Sequence, residues 1–375
     1  MSYNILGINS SHNGSVCVLC DGEIDFYVEE ERFSRTKYED KPVEVLEYVA
    51  SKYKIDEIAV GGLEILFQLN TGKLYQNYLK LLFKNVPITN LLKSHHVCHA
   101  FSSFSSSGFD KALCIVVDGA GSLLYREEDE KLIGVETESV FTFEYPTNIN
   151  TIYKSYKTFH PNDNKNIDGK LMNSNITLGK LYESITTKLF GNWVYAGKTM
   201  GLSSYGKYNS NIPPLIIDQR ANPEFLAGST TTNLEKDILA GEARSMVDGG
   251  INIKYDYLFE EELRSDISYH LQNEIQEVIG DIIEKYIKET GLKKVCGSGG
   301  YFLNCVSNYY LKKRFPNIDF YFDPTSSDAG ISLGAAKLLW HVRKNDTTIR
   351  PQKTLYNGPK YTNKEIYKKI REYLD

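Results

Sequence analysis

Leu113-Cys114-Ile115-Val116-Val117-Asp118-Gly119-Ala120-Gly121-Ser122 joins an apolar, largely β-branched run to a carboxylate and a glycine-rich turn. Five apolar residues in succession read as a strand buried on both faces, and an acidic side chain at its end emerges where α/β sheets bind ligands. Two further stretches have the same form, Ile5 through Gly14 and Val295 through Gly300. Backbone amides in such turns can hold phosphate because no side chain blocks the approach, although glycine after a strand is more often only a turn. Three in one chain point to a nucleotide cleft. No GxxxxGK[ST] and no GxGxxG followed by an acidic residue occurs, so P-loop and dinucleotide-binding readings find no support.

Outward from these turns the pattern is mixed α/β. Tyr3–Ile8, Ser15–Cys20 and Ile24–Val28 read as strands, the last two joined by the two-residue turn Asp21-Gly22. Val43, Leu46, Val49, Ala50 and Tyr53 mark a helix, followed by a strand at Glu57–Val60 and a helix near Leu74–Phe83. A strand is expected at Glu138–Tyr145, and the Asn-, Lys- and Tyr-rich stretch 148–175 reads as a surface excursion and lobe junction. Ile267, Leu271, Ile275, Val278, Ile282 and Tyr286 lie at helical spacing, with Gly291 as a stop before the strand Lys294–Cys296. In the last core helix, Gly330–Val342, the run Gly334-Ala335-Ala336 admits a neighbouring backbone. The expected architecture is two-lobed: residues 1–160 form one lobe, 161–345 the second, and 346–375 a polar tail or linker. No internal repeat is visible as sequence identity.

The chain has 375 residues, ample for two lobes, and a net charge of −5, which argues weakly against a surface devoted to nucleic acid. No apolar run approaches the ~18 residues needed to span a bilayer, so no membrane role is expected. The opening residues lack the basic and apolar regions of a secretory signal, so a cytoplasmic location is expected, with the six cysteines in a reducing compartment. Cys17 and Cys20 have CxxC spacing but sit in an apolar run without a second pair, and read as strand packing.

The chemistry concentrates at a few positions. In Ser94-His95-His96-Val97-Cys98-His99, Ser94 can cap a helix that puts His95 and His99 one turn apart on one face. Such a pair is about equally a metal site or ordinary core or surface histidines, and Asp118 at a strand end shifts the balance towards a site. Asp328, ahead of the last core helix, reads either as an N-cap or as a site carboxylate. His12, in the first glycine turn, is the candidate general base, since an imidazole is mostly neutral near pH 7; the alternative is a turn histidine bonded to backbone.

Together, His95-His96-Val97-Cys98-His99-Ala100, Val117-Asp118-Gly119-Ala120-Gly121, Gly197-Lys198-Thr199-Met200-Gly201-Leu202-Ser203-Ser204-Tyr205-Gly206, Gly299-Gly300-Tyr301-Phe302-Leu303-Asn304 and Ser327-Asp328-Ala329-Gly330 resemble the ordered motifs of the antibiotic and nodulation-factor O-carbamoyltransferases. Gly7-Ile8-Asn9-Ser10-Ser11-His12-Asn13-Gly14-Ser15 and Glu29-Glu30-Glu31-Arg32-Phe33-Ser34-Arg35-Thr36-Lys37 match as well. The resemblance covers roughly residues 1 to 360. It implies the two-lobed architecture of the actin and sugar-kinase superfamily, with nucleotide and metal held between the lobes. The metal, iron first with zinc, manganese and magnesium as alternatives, would be held by His95, His99, Asp118 and Asp328. Nucleotide contacts would fall at Ser10, Gly119, Gly121, Lys198, Gly299, Gly300 and Asn304, and catalytic roles at His12 and Lys37.

The activity implied is transfer of a carbamoyl group from carbamoyl adenylate, derived from carbamoyl phosphate and ATP, to a hydroxyl of a small molecule, a sugar or a hydroxymethylated nucleobase. Rival readings are a tRNA threonylcarbamoyl transfer subunit and a non-catalytic metal- or nucleotide-binding scaffold. The family usually continues into a YrdC-like activating domain, so a separate YrdC-like partner or a truncated chain is expected. Nucleic acid as acceptor and homodimer formation stay open. Two departures stand out: Asn13 replaces the family's usual Asp after the histidine, and Tyr301-Phe302 brings aromatic bulk beside the expected nucleotide site.

Overall fold

The computed structural model describes residues 2–63, 70–84, 86–125, 132–158, 171–174, 178–222 and 256–374. In the first part of the chain, β1 (Asn4–Asn9), β2 (Ser15–Cys20) and β3 (Glu23–Glu29) are followed by helix α1 (Val43–Lys52), β4 (Glu57–Gly61), α2 (Asn70–Leu82), β5 (Ile88–Asn90) and α3 (His95–Ser107). These strands form one sheet in the order β3-β2-β1-β4-β5. Asp21 and Gly22 both have positive φ, as a tight hairpin turn of this hand requires.

The second part contains β6 (Lys111–Val117), β7 (Leu123–Tyr125), β8 (Leu132–Glu144), β9 (Asn148–Thr158) and β10 (Leu171–Ser174), then α4 (Leu178–Phe190) and α5 (Ala196–Leu202). A two-strand hairpin, β11 (Ile216–Ile217) with β12 (Arg220–Ala221), precedes α6 (Arg264–Thr290), β13 (Lys294–Ser298), α7 (Cys305–Arg314), β14 (Asp319–Phe322), α8 (Ala329–Lys344) and α9 (Asn363–Leu374). The second sheet runs β10-β9-β8-β6-β13-β14, with β7 paired to β8.

The two sheets repeat one plan. Around β1, β2 is antiparallel and β4 parallel, with β3 and β5 outside them; around β6, β8 is antiparallel and β13 parallel, with β9 and β14 outside. The repeat is one of backbone topology, which explains its invisibility as sequence identity. It also crosses over. Helix α3, which follows the first sheet, buries Phe101 and Phe104 against Cys114, Val116 and Phe141 of the second. Helix α8, which follows the second sheet, buries Ile331, Ala335 and Leu339 against Ile5, Cys17 and Leu19 of the first. Gly7 permits that approach, since a Cβ there would lie 2.0 Å from the Ser332 carbonyl oxygen. Alternation along β1 explains the layering: Leu6 and Ile8 face α1, while Ile5 faces α8. On the far face of the second sheet Leu113, Ile115 and Val295 pack with α4 and α6.

The two-lobed α/β architecture is therefore present, but the sheets divide between residues 90 and 111, and α8 returns to the first sheet. The junction expected near 160 falls outside the described residues, between two strands of one sheet. Its polar approach, Asn148–Thr158, is strand β9, which buries Tyr153 and Tyr156. The stretch expected as an exit linker is partly anchored: the Asn357 carbonyl accepts the Tyr27 N–H at 2.9 Å and the Ser106 carbonyl accepts the Gln352 N–H at 3.0 Å. Cys17 is buried in β2, as strand packing predicts. No described helix is long and apolar enough to cross a membrane.

Candidate active site and metal centre

The crossing of α3 and α8 brings four buried side chains together. His95 and His99 come from the first turns of α3, Asp118 from the end of β6, and Asp328 from the residue before α8; one ligand atom from each falls within 4.8 Å of all the others. Ser94 does not cap α3 with its side chain. Instead Ser122 Oγ accepts the His95 N–H at 3.1 Å and Glu136 Oε1 accepts the His96 N–H at 3.2 Å. Glu136 also takes the Ser122 N–H at 3.1 Å, fixing the glycine turn to the histidine helix. Asp328 makes no side-chain cap on α8, so its carboxylate is free for the site.

The donor set suits a cation. His95 Nδ1 lies 3.2 Å from the Gly62 carbonyl and must donate to it, which turns the Nε2 lone pair towards Asp118 Oδ2 at 3.2 Å and Asp328 Oδ1 at 3.8 Å. His99 Nε2 stands 3.4 Å from Asp328 Oδ1 and 3.6 Å from Asp118 Oδ2, and neither ring nitrogen makes a hydrogen bond among the described residues. Two imidazole lone pairs and two carboxylates facing one point are all acceptors, and a divalent ion satisfies them together. Without an ion, a proton takes its place. Burial alone would lower the His99 pKa, but Asp118 and Asp328 outweigh it and push it up to about 10. Burial raises both carboxylates, yet the histidines prevail: Asp328 is held at about 2 and Asp118 well below the ordinary range.

Asp328 is shared between this cluster and the first glycine turn. Its Oδ2 accepts the Ser11 hydroxyl at 2.6 Å and lies 3.4 Å from His12 Nε2. Enclosure lowers the His12 pKa and Asp328 raises it, with a net rise. The His12 ring is partly exposed to a cleft of about 440 Å³, across which Trp193 stands at 5.6 Å between ring centroids. Asp118, Gly119, Glu183, Gly300 and Asn304 line the same cleft.

The other expected residues divide. Gly119 lines the cleft, and a Cβ built there would lie 2.3 Å from Glu183 Oε1. Gly300 donates its N–H to Asp118 Oδ1 at 3.3 Å, and Gly299, at φ 92°, passes so close to Val117 that no Cβ fits. Asn304 has both side-chain ends engaged, accepting the Ser307 N–H at 3.1 Å and donating to Gln272 at 2.8 Å. Ser10 is buried and bonds the Gly61 carbonyl, and Gly121 packs against Glu136 and His96; neither lines the cleft. Lys198 is exposed with its ammonium 3.7 Å from the Tyr195 ring centroid, while Gly197 beside it lines the cleft. Lys37 Nζ stands 5.0 Å from the ring centroid of Tyr38, a cleft-lining residue, but Lys37 does not itself line the cleft. Of the two aromatic departures only Tyr301 lines it; Phe302 turns inward and stacks on Phe322. Sequence reasoning missed Ser11, Glu183, Trp193 and Tyr38. Ser11 and Tyr38 carried a signal, their places beside His12 and Lys37; Glu183 and Trp193 reach the cleft by long-range packing.

These features define a two-lobed α/β protein of the actin and sugar-kinase type, with an acidic and histidine-rich centre at the floor of its cleft. The fold matches the crystal structure of full-length HypF in the phosphate- and nucleotide-bound form with a TM-score of 0.54, at 16% identity, covering 92% of this chain and 56% of that one. The family described as carbamoyltransferase N-terminus matches residues 66–337, and the chain belongs to that family. It is similar to nodulation protein NolNO of Sinorhizobium fredii, 24% identical over 93% of this chain and 49% of that protein. It is also similar to the uncharacterized protein sll1178 of Synechocystis, 26% identical over 97% of this chain and 62% of that protein. The chain thus spans about half to three-fifths of the length of these curated relatives.

Proposed function

We propose that this chain carries the transfer site of an O-carbamoyltransferase, moving a carbamoyl group from carbamoyl adenylate to the hydroxyl of a small-molecule acceptor. The observation that carries the reading is the shared Asp328, which sets His12 Nε2 beside a His95, His99, Asp118 and Asp328 cluster whose two carboxylates line the same cleft. In the reaction the acceptor oxygen forms a bond to the carbamoyl carbon, the bond from that carbon to the phosphate oxygen breaks, and AMP leaves with the electron pair. His12 Nε2 takes the hydroxyl proton, and Asp328 stabilises the imidazolium that results. Among the described lining residues there is no Lys or Arg, so phosphate binding would rest on His12 and a cation at the histidine–aspartate cluster, beside the turns at Gly119 and Gly300. A divalent metal held by His95, His99, Asp118 and Asp328, with iron as the leading candidate, would supply Lewis-acid compensation of phosphate charge. Trp193 and Tyr38 offer an aromatic wall for the apolar face of an acceptor ring, and Lys37 Nζ stands 5.0 Å from the Tyr38 ring centroid. The test supplies pre-made carbamoyl adenylate with a panel of sugars, aminoglycosides and hydroxymethylated nucleosides, read by mass spectrometry. A carbamoyl mass gain that disappears in His12→Asn supports the reading; no gain on any acceptor with metal-loaded protein overturns it.

A further inference from the structure

Asn13 is placed to do more than fill a turn. It lies at φ 57°, a region that Asn and Asp tolerate better than most side chains, and Asn9 Nδ2 holds the turn by donating to the His12 and Asn13 carbonyls at 3.2 and 3.1 Å. Asn13 Oδ1 is 2.9 Å from His12 Nδ1, and Asn13 Nδ2 donates to Glu29 Oε2 at 3.3 Å. Glu29 ends β3, opposite Ser15 at the start of β2, so backbone pairing fixes its position relative to the turn.

An ionised carboxylate only accepts hydrogen bonds. The Asn13 amide must therefore turn its NH₂ to Glu29 and its oxygen to His12, and an amide oxygen facing Nδ1 requires the proton there. We propose that Glu29, acting through Asn13, is the positioning residue that holds His12 in the Nδ1–H tautomer against the pull of Asp328 Oδ2, 3.4 Å from Nε2, and so keeps Nε2 as the nitrogen that accepts a proton at the cleft. Glu29 touches no reacting atom. Its importance for turnover rests on the reading of His12 as general base, whereas its effect on the tautomer does not.

The test exchanges the position of the carboxylate. In Glu29→Gln the side chain both donates and accepts, so the orientation of Asn13 is no longer dictated. In the double variant Asn13→Asp/Glu29→Gln, the carboxylate introduced at position 13 is acceptor-only and takes hydrogen bonds from both His12 Nδ1–H and the amide introduced at position 29. The tautomer is read by ¹⁵N NMR of histidine-labelled full-length chain, with His12 assigned by loss of its signal in His12→Asn.

The expected result is an Nδ1–H form in the parent, a mixture of tautomers in Glu29→Gln, and recovery of the Nδ1–H form in the double variant. The transfer rate should fall by about 10–100-fold in Glu29→Gln at unchanged KM, the range for outer partners that orient a histidine, and return in the double variant. A parent with Nε2–H, a Glu29→Gln tautomer like the parent's, or a double variant that fails to recover overturns the proposal. If the tautomer exchange occurs and no carbamoyl transfer is found, the proposal stands and the assigned activity falls.

Discussion

Gly334 sits where α8 crosses α3, and a Cβ built on it would lie 1.9 Å from the Cys98 carbonyl oxygen and 3.1 Å from the Ser102 nitrogen. Both are backbone atoms, so no side chain can swing aside. Restoring ordinary contact in Gly334→Ala requires the helices to part by roughly 1.5 Å, in an interior that deforms little. Overpacking of this kind costs about 1–3 kcal/mol, and a backbone clash belongs at the upper end. The better helix propensity of alanine offsets about 0.5–1 kcal/mol, leaving a net loss near 2 kcal/mol. The same shift acts on the site, because His95 and His99 ride on α3 and Asp328 stands at the start of α8. Metal geometries hold to about ±0.2 Å, so divalent-ion affinity should fall at least 10–100-fold. Urea unfolding of metal-free protein measures the first effect and equilibrium dialysis with Fe²⁺ or Zn²⁺ the second. Gly201→Ala is the control, since nothing lies within 4 Å of its Cβ position in helix α5, and it should be neutral or stabilising by about 0.5 kcal/mol. A Gly334→Ala protein matching the parent in both midpoint and metal affinity would falsify the claim that this crossing sets the site.

Three further outcomes follow from the geometry. His95→Ala or His99→Ala should abolish stoichiometric divalent metal on elemental analysis while leaving the far-UV spectrum close to the parent, because the remaining ligands sit on preformed elements. In single-turnover transfer with carbamoyl adenylate, His12→Asn should slow the chemical step by ~10²–10⁴-fold with little change in nucleotide affinity; near-normal transfer removes His12 from the role of base. The Lys337 ammonium, bonded to Ser106 Oγ at 3.1 Å, is pushed down to about 8 by burial, while the unfolded chain keeps its proton to ~10.4. The unfolded state binds more protons between those values, so Lys337 should make stability rise with pH across that window; Lys337→Met should flatten the rise in urea midpoints and be more stable than the parent at pH 7.

How much of this was legible depended on whether a residue's role was local. Asp118 could be read because an apolar strand and a glycine turn flank it in sequence, and the His95–His99 pair because one helical turn separates them. The Gly334-Ala335-Ala336 run announced a close helix contact without naming the partner. The capping of α3 was not legible: its acceptors, Ser122 Oγ and Glu136, lie 27 and 40 residues from the amides they bind. Strand β9 was concealed by its Asn, Lys and Thr residues; its burial resides in Tyr153 and Tyr156 and its pairing in β8. Trp193 and Glu183 gave no local signal because the cleft they line is made by packing between elements distant in sequence.

The repeated sheet plan explains why the site lies where it does. Each central strand, β1 and β6, ends in a glycine turn, and each sheet's last helix is carried across to the other sheet. The starts of α3 and α8 consequently meet between the two turns, so no single lobe owns the ligand set: His95 and His99 follow the first sheet but pack with the second, and Asp328 follows the second but bonds Ser11 of the first.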